Sequence, residues 1–125
     1  MFIRILAPLS LLVALFATGC SRQAPAEPIA ESPPDAARGQ QLFMSACAQC
    51  HGLTAQGVKG LGSNLRTSPF VLESSDAQLL EMIKTGRPPT MGRPAMPPKG
   101  GRFDLTDADL LDIIAHIRTL VEPEG

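Results

Sequence analysis

The chain has 125 residues and a formal net charge of −1, a balance that excludes nucleic acid as its ordinary partner. It contains no Trp and no Tyr, so a small folded domain here needs something other than large aromatics to fill its centre. A core that small is marginal without a staple, a metal or a cofactor.

From the N-terminus, M-F-I-R precedes an apolar run from Ile5 to Phe16. Its length suits a signal-peptide core and falls short of the roughly 20 residues that span a bilayer. The run closes A-T-G-C at Ala17 to Cys20, which resembles a bacterial lipobox, where cleavage before the cysteine exposes a thiol for lipid attachment. Ordinary cleavage near Gly19 would instead leave Cys20 a free thiol, a liability in an exported protein. Residues 1–19 thus read as a signal peptide and Cys20 as a lipidation site. The mature chain is expected at the periplasmic side of a bacterial membrane, an oxidising compartment. Residues 20–34 follow as a lipid-anchored linker, whose part after Cys20 has four prolines, three alanines and almost nothing apolar. Such a stretch cannot offset the entropy of folding. It would reach roughly 20 Å as a flexible coil and about 43 Å as polyproline II.

Residues 35–125 read as one domain with three helices. The first is expected to start near Ser32 or Asp35 and to run towards Cys47. The second follows Ser75, which has capping-box spacing to Gln78, and stops at Gly86 before Pro88. The third is capped at Thr106 and runs to about Val121, with Leu110, Ile113, Ile114, Ile117, Leu120 and Val121 on one stripe. Nothing alternates convincingly enough to be a strand. The loops 52–69 and 86–105 are long for a domain of this size, and loops like these need something to wrap.

Between the first helix and its loop stands S-A-C-A-Q-C-H-G, residues 45–52. A thioredoxin-like reading of Cys47 and Cys50 requires a βαβ setting, which is missing. A structural zinc site wants four ligands, and the domain offers only Cys47, Cys50, His51 and His116. Adjacent Cys50 and His51 point apart and close a tetrahedron poorly. A disulfide across so short a loop staples almost nothing. In an exported chain, C-x-x-C-H reads instead as covalent haem attachment, with the thiols bound to the two porphyrin vinyl groups and His51 as the proximal iron ligand.

With that motif in place, the chain from about Asp35 to Leu120 resembles a small monohaem cytochrome c of class I. The resemblance implies an all-α fold in which N- and C-terminal helices cross and loops wrap one covalent haem c. Gly39 and Phe43 match the family's glycine and aromatic at the helix crossing. I-I-A-H-I-R-T-L matches the pattern of the C-terminal helix, with His116 at the place of its helix-contact aromatic. The family's G-P-N-L, whose proline carbonyl accepts the outer N–H of the haem histidine, is similar to G-S-N-L at Gly62 to Leu65. This places the Ser63 carbonyl in that role. The family's distal methionine usually stands in M-P before the last helix, so Met96 in M-P-P-K-G-G is the expected second iron ligand. Met91, Met82 and Met44 are then expected as packing residues. His116 as a second axial histidine is the alternative to its packing role.

With His51 and Met96 on the iron, both axial positions are filled by protein, and the site is expected to pass single electrons to and from redox protein partners rather than to catalyse bond chemistry. The competing reading is a haem enzyme or gas sensor with a labile distal ligand. Against it, Arg87 to Arg102 offers no acid and no histidine. The same region is basic: Lys84, Arg87, Arg93, Lys99 and Arg102 occur from Met82 to Phe103 without an acidic residue. In the resembling family this loop borders the haem edge, so these five are candidates for docking an acidic partner surface. The protein is expected to act as a membrane-tethered carrier or as a subunit of an oxidoreductase complex.

Overall fold

A computed structural model of the protein describes residues 32–121. The expected signal peptide, the expected lipidation site at Cys20 and most of the expected linker lie outside the described residues. Helix α1, Ala36–Ala46, starts where Asp35 turns out of extended backbone and its carboxylate accepts the N–H groups of Ala37 and Arg38. That is the ordinary chemistry of an N-cap, satisfying donors with no partner in the first turn. The helix stops at Cys47, and a single turn, α2 (Ala48–His51), continues from it. Helix α3 is short, Pro69–Glu73, with proline at its first position. Helices α4 (Asp76–Thr85) and α5 (Asp107–Leu120) each open with a complete capping box, Ser75 with Gln78 and Thr106 with Asp109. A 3-10 turn spans Pro98–Gly101. Among the described residues there are only isolated bridges and no strand.

The expected three helices are therefore present within a residue or two of their expected ends, and the fold is the small all-α one. Sequence reading missed α2, α3 and the 3-10 turn. These are four or five residues long, shorter than the window in which periodicity can be read.

The centre of the fold is the crossing of α1 and α5. Phe43, Leu110 and Ile113 are fully buried there, with Ile114 and Ile117 beside them and Leu79 and Ile83 of α4 closing the other side. Gly39 shows why the helices can meet. A Cβ on it would sit 1.8 Å from the carbonyl oxygen of Asp112, backbone of the opposing helix. Only a residue without a side chain admits that approach.

A polar clasp locks the same crossing. Asp112 accepts the backbone N–H of Asp35 at 2.7 Å, and the Arg38 guanidinium bonds both Asp109 and Asp112. The two carboxylates are buried while Arg38 is half exposed. The Thr106 hydroxyl and N–H, and then Arg38, hold the Asp109 carboxyl below its usual range. A buried carboxylate is tolerable only when it is bonded in this way.

Candidate functional site

Below the helix crossing, α2 and the long loops enclose a cavity of about 480 Å³. Cys47, Cys50 and His51 face it from one side of the chain, and Met96, with Met82 of α4, comes from another. The wall between is made by the loop from Val58 to Leu65, by the start of α3, and by Arg87 and Gly92 to Pro97.

The cysteine–histidine segment is presented by a turn of helix. His51 N–H bonds the Cys47 carbonyl at 2.9 Å and Gly52 N–H bonds that of Ala48 at 2.8 Å. This turn keeps two thiols and an imidazole on a rigid scaffold at the cavity edge. Both thiols are free. Burial first, and the neighbouring Cys50 second, push the Cys47 thiol up to about 11. The pocket thus disfavours a charged thiolate at Cys47.

His51 is oriented by its outer nitrogen. Nδ1 lies 2.9 Å from the carbonyl oxygen of Ser63. A carbonyl only accepts, so Nδ1 must carry the proton, and Nε2 is left with its lone pair free to ligate. The side chain at 63 plays no part in that bond, so serine serves as proline would. Gly62 lets the loop come this close: a Cβ there would meet the Cys50 carbonyl oxygen at 2.3 Å. The loop is closed on itself by Val58 N–H to Gly62 and by Leu65 N–H to the Ala55 carbonyl, 3.1 and 2.8 Å.

Met96 is held by backbone. Its N–H donates to the Arg87 carbonyl at 2.9 Å, and its own carbonyl accepts the Arg87 N–H at 2.8 Å. Farther out, Thr90 and Arg93 bond each other in both directions, leaving Met91 and Gly92 at the tip of a two-residue turn. Met91 is fully exposed, which corrects its expected packing role: the turn points the tip side chain into water. Met44 is likewise half exposed. It follows Phe43 by one residue, about 100° around α1, and so leaves the seam that Gly39 and Phe43 face. Met82 is packed against the core and reaches the cavity.

His116 is buried and packs its ring on Phe43, centroids 5.5 Å apart and planes at 59°. It is not among the residues facing the cavity. Burial lowers its pKa from the ordinary value.

The five candidate docking cations do not form one set. Lys84 pairs with Asp107 at 2.8 Å and Arg102 with Asp104 at 2.8 Å. Lys99 donates to the Leu105 carbonyl at 2.7 Å, which ties the 3-10 turn to the approach of α5. Arg87 and Arg93 stand at the cavity, joined by Lys59 from the opposite loop. Lys59 was overlooked in the sequence because it lies outside the basic run. The carboxylates of Asp104 and Asp107 follow that run in the chain, yet they fold back onto it.

The donor set fits a tetrapyrrole. Two free thiols with the spacing of C-x-x-C-H, an oriented imidazole and a thioether share one cavity large enough for a flat macrocycle. No group of three or more His, Cys, Asp or Glu able to hold a bare metal ion occurs among the described residues. Comparison with known proteins agrees. Residues 34–117 match the family model described as cytochrome c oxidase, cbb3-type, subunit III.

The chain belongs to this cytochrome c family. The cytochrome is 33% identical over 96 residues to the cbb3-type cytochrome c oxidase subunit CcoP of Rubrivivax gelatinosus, covering 77% of this chain and 29% of that subunit. It is 31% identical over 83 residues to cytochrome c-555 of Chlorobaculum thiosulfatiphilum, covering 66% of this chain and 93% of that protein. Among solved structures, cytochrome cL from Methylophaga aminisulfidivorans superposes with a TM-score of 0.52 at 30% identity, over 69% of this chain and 53% of that one. The cytochrome therefore spans under a third of the oxidase subunit it matches, and nearly all of cytochrome c-555. Its cofactor is one covalent haem c and its fold is the small class I one.

Proposed function

We propose that the cytochrome is a one-electron carrier whose haem iron His51 and Met96 would ligate, tethered at Cys20 to the periplasmic side of a bacterial membrane. It works there as a free carrier or as the electron-transfer subunit of an oxidoreductase complex. The bound haem supplies an iron that takes up and gives back one electron. The residues do the rest: Cys47 and Cys50 hold it covalently, the Ser63 carbonyl keeps the His51 lone pair aimed, and the paired backbone bonds of Arg87 fix Met96. Donors positioned in this way change little when charge changes, which suits transfer without bond chemistry.

The observation that carries this reading is the pairing of an oriented His51 with Met96 on one cavity, while Met91 stands in solvent and His116 is occupied against Phe43. Docking of an acidic partner falls to Lys59, Arg87 and Arg93, which line the cavity and take part in none of the ion pairs found among the described residues. A rate of electron transfer to such a partner that ignores ionic strength would remove that part of the proposal. The tether is tested by the intact mass of the mature protein, which should show lipid on Cys20. Among the described residues no helix is long and apolar enough to cross a membrane.

The deciding experiment compares Met96→Ala with Met91→Ala in the ferric protein. The weak near-infrared sulfur-to-iron band should vanish in the first and persist in the second. Wild type should resist carbon monoxide in the ferrous state, and Met96→Ala should bind it readily. Wild-type binding as fast as the variant's would leave the distal position open and favour a haem enzyme or gas sensor. A spectrum altered by His116→Ala alone would make the site bis-histidine.

A further inference from the structure

Arg118 lies on α5, away from the cavity, and its guanidinium is wholly engaged. One terminal nitrogen donates to the Val71 carbonyl at 2.5 Å and the other to the Ser74 carbonyl at 2.6 Å, while Nε donates to Asp76 at 3.0 Å. These acceptors sit at one joint. Val71 is in the last turn of α3, where carbonyls have no helical partner. Ser74 is the residue between α3 and the Ser75 cap of α4, and Asp76 opens α4. A five-residue helix does not hold itself in water. Here one planar fork, rigid and permanently charged, anchors it to the longest helix among the described residues.

What that joint holds is a wall. Ser68, Pro69, Phe70 and Val71 face the cavity that takes the haem. Leu72, the next residue of α3, does not face the cavity and is exposed, so this wall has solvent on its far side. We infer that Arg118 is a positioning residue for the haem site: by bonding the Val71 and Ser74 carbonyls it keeps α3 closed against the cavity and so sets how much water reaches the haem. Water near the iron favours the more highly charged ferric state, and a dry wall favours the ferrous one. The inference rests on the haem lying in this cavity and is independent of which methionine ligates it.

The test uses the holoprotein and three variants. Arg118→Met keeps the stem and removes every bond. Arg118→Lys keeps the charge but cannot present the planar fork. Asp76→Asn removes the ion pair and leaves the carbonyl bonds. The readouts are hydrogen exchange at the Leu72 and Ser74 amides, which are bonded within α3, and the midpoint potential. Arg118→Met should speed exchange at those two amides roughly tenfold or more, as expected for losing hydrogen bonds from a charged donor. The Gly39 and Leu110 amides at the helix crossing should change far less, and the potential should fall. Arg118→Lys should move both readouts the same way by less, and it carries the test if the methionine variant does not fold. Asp76→Asn should resemble wild type. The inference is overturned if exchange rises equally at the crossing with the potential unmoved, since Arg118 would then be a general stabiliser. It is also overturned if the α3 amides loosen and the potential stays put, or if Asp76→Asn reproduces the full effect.

Discussion

At the crossing of α1 and α5 the chain completes itself. Phe43, Leu110 and Ile113 are fully buried, Gly39 brings backbone against backbone, and buried Asp109 and Asp112 have their charges met by Arg38. Around the cavity the chain is left unfinished. Cys47, Cys50, His51, Leu65, Met82 and Met96 are all only partly buried, although most are apolar, and the loops that carry Leu65 and Met96 are held by scattered turns and isolated bridges. The first region draws its stability from protein packed on protein. The second is shaped to pack on something that is not protein. A class I cytochrome thus divides its small chain between a seam that orients the two helices and a shell whose inner surface is completed by haem.

The strongest way to break this comparison is to remove the attachment. Cys47→Ala with Cys50→Ala should leave haem absent or loosely held and the domain largely unfolded, because the protein-only seam is too small to hold the shell. Intact mass and circular dichroism report the two effects. A double variant without iron that keeps normal helix content would show that the seam suffices alone.

The seam itself is challenged by Gly39→Ala. The added Cβ meets backbone at 1.8 Å, and no rotamer change relieves a backbone clash, so the helices must separate. Overpacking of this kind should cost about 3 kcal/mol in denaturant unfolding, with the same chain still attaching haem. A loss below about 0.5 kcal/mol would mean that the crossing has slack, against the packing density expected of a core.

A finer difference lies in His116, the one titrating ring inside the seam. Its folded pKa is lowered by burial from 6.5, so below that value the unfolded chain takes up a proton that the folded chain resists. The stability His116 allows is complete above pH 6.5. It is lost as pH falls from there through the lower folded value. Asp109, also lowered, loses its contribution only in the more acidic range below 3.8, so the two windows separate. His116→Phe should keep the contact with Phe43 and flatten the stability profile between neutral and mildly acidic pH. An unchanged slope in that variant would assign the titration elsewhere.

Much of this architecture is written in short stretches. Capping boxes at Ser75 and Thr106 are hydrogen bonds across three residues, and they can be read because both partners lie side by side in the chain. C-x-x-C-H is legible for the same reason: covalent attachment and proximal ligation need neighbouring residues on one turn. G-S-N-L points to the Ser63 carbonyl because a backbone acceptor is there whatever the side chain.

The rest depended on which residues met across the fold. Arg38 reaches Asp109 and Asp112 from 71 and 74 positions away, and Arg118 reaches Val71 from 47. Two apparently free cations of the basic run acquire carboxylates, and Lys59 joins Arg87 and Arg93 at the cavity from a separate loop. Met91 and Met96 lie five residues apart with similar neighbours, yet a two-residue turn sends one into water and a pair of backbone bonds sets the other at the cavity. The sequence by itself determined helix ends and cofactor chemistry, because those are set by contacts within one turn. Charge pairing, the fate of each methionine and the closure of the cavity wall were decided only by tertiary structure, because electrostatic and packing partners are fixed by distance in space.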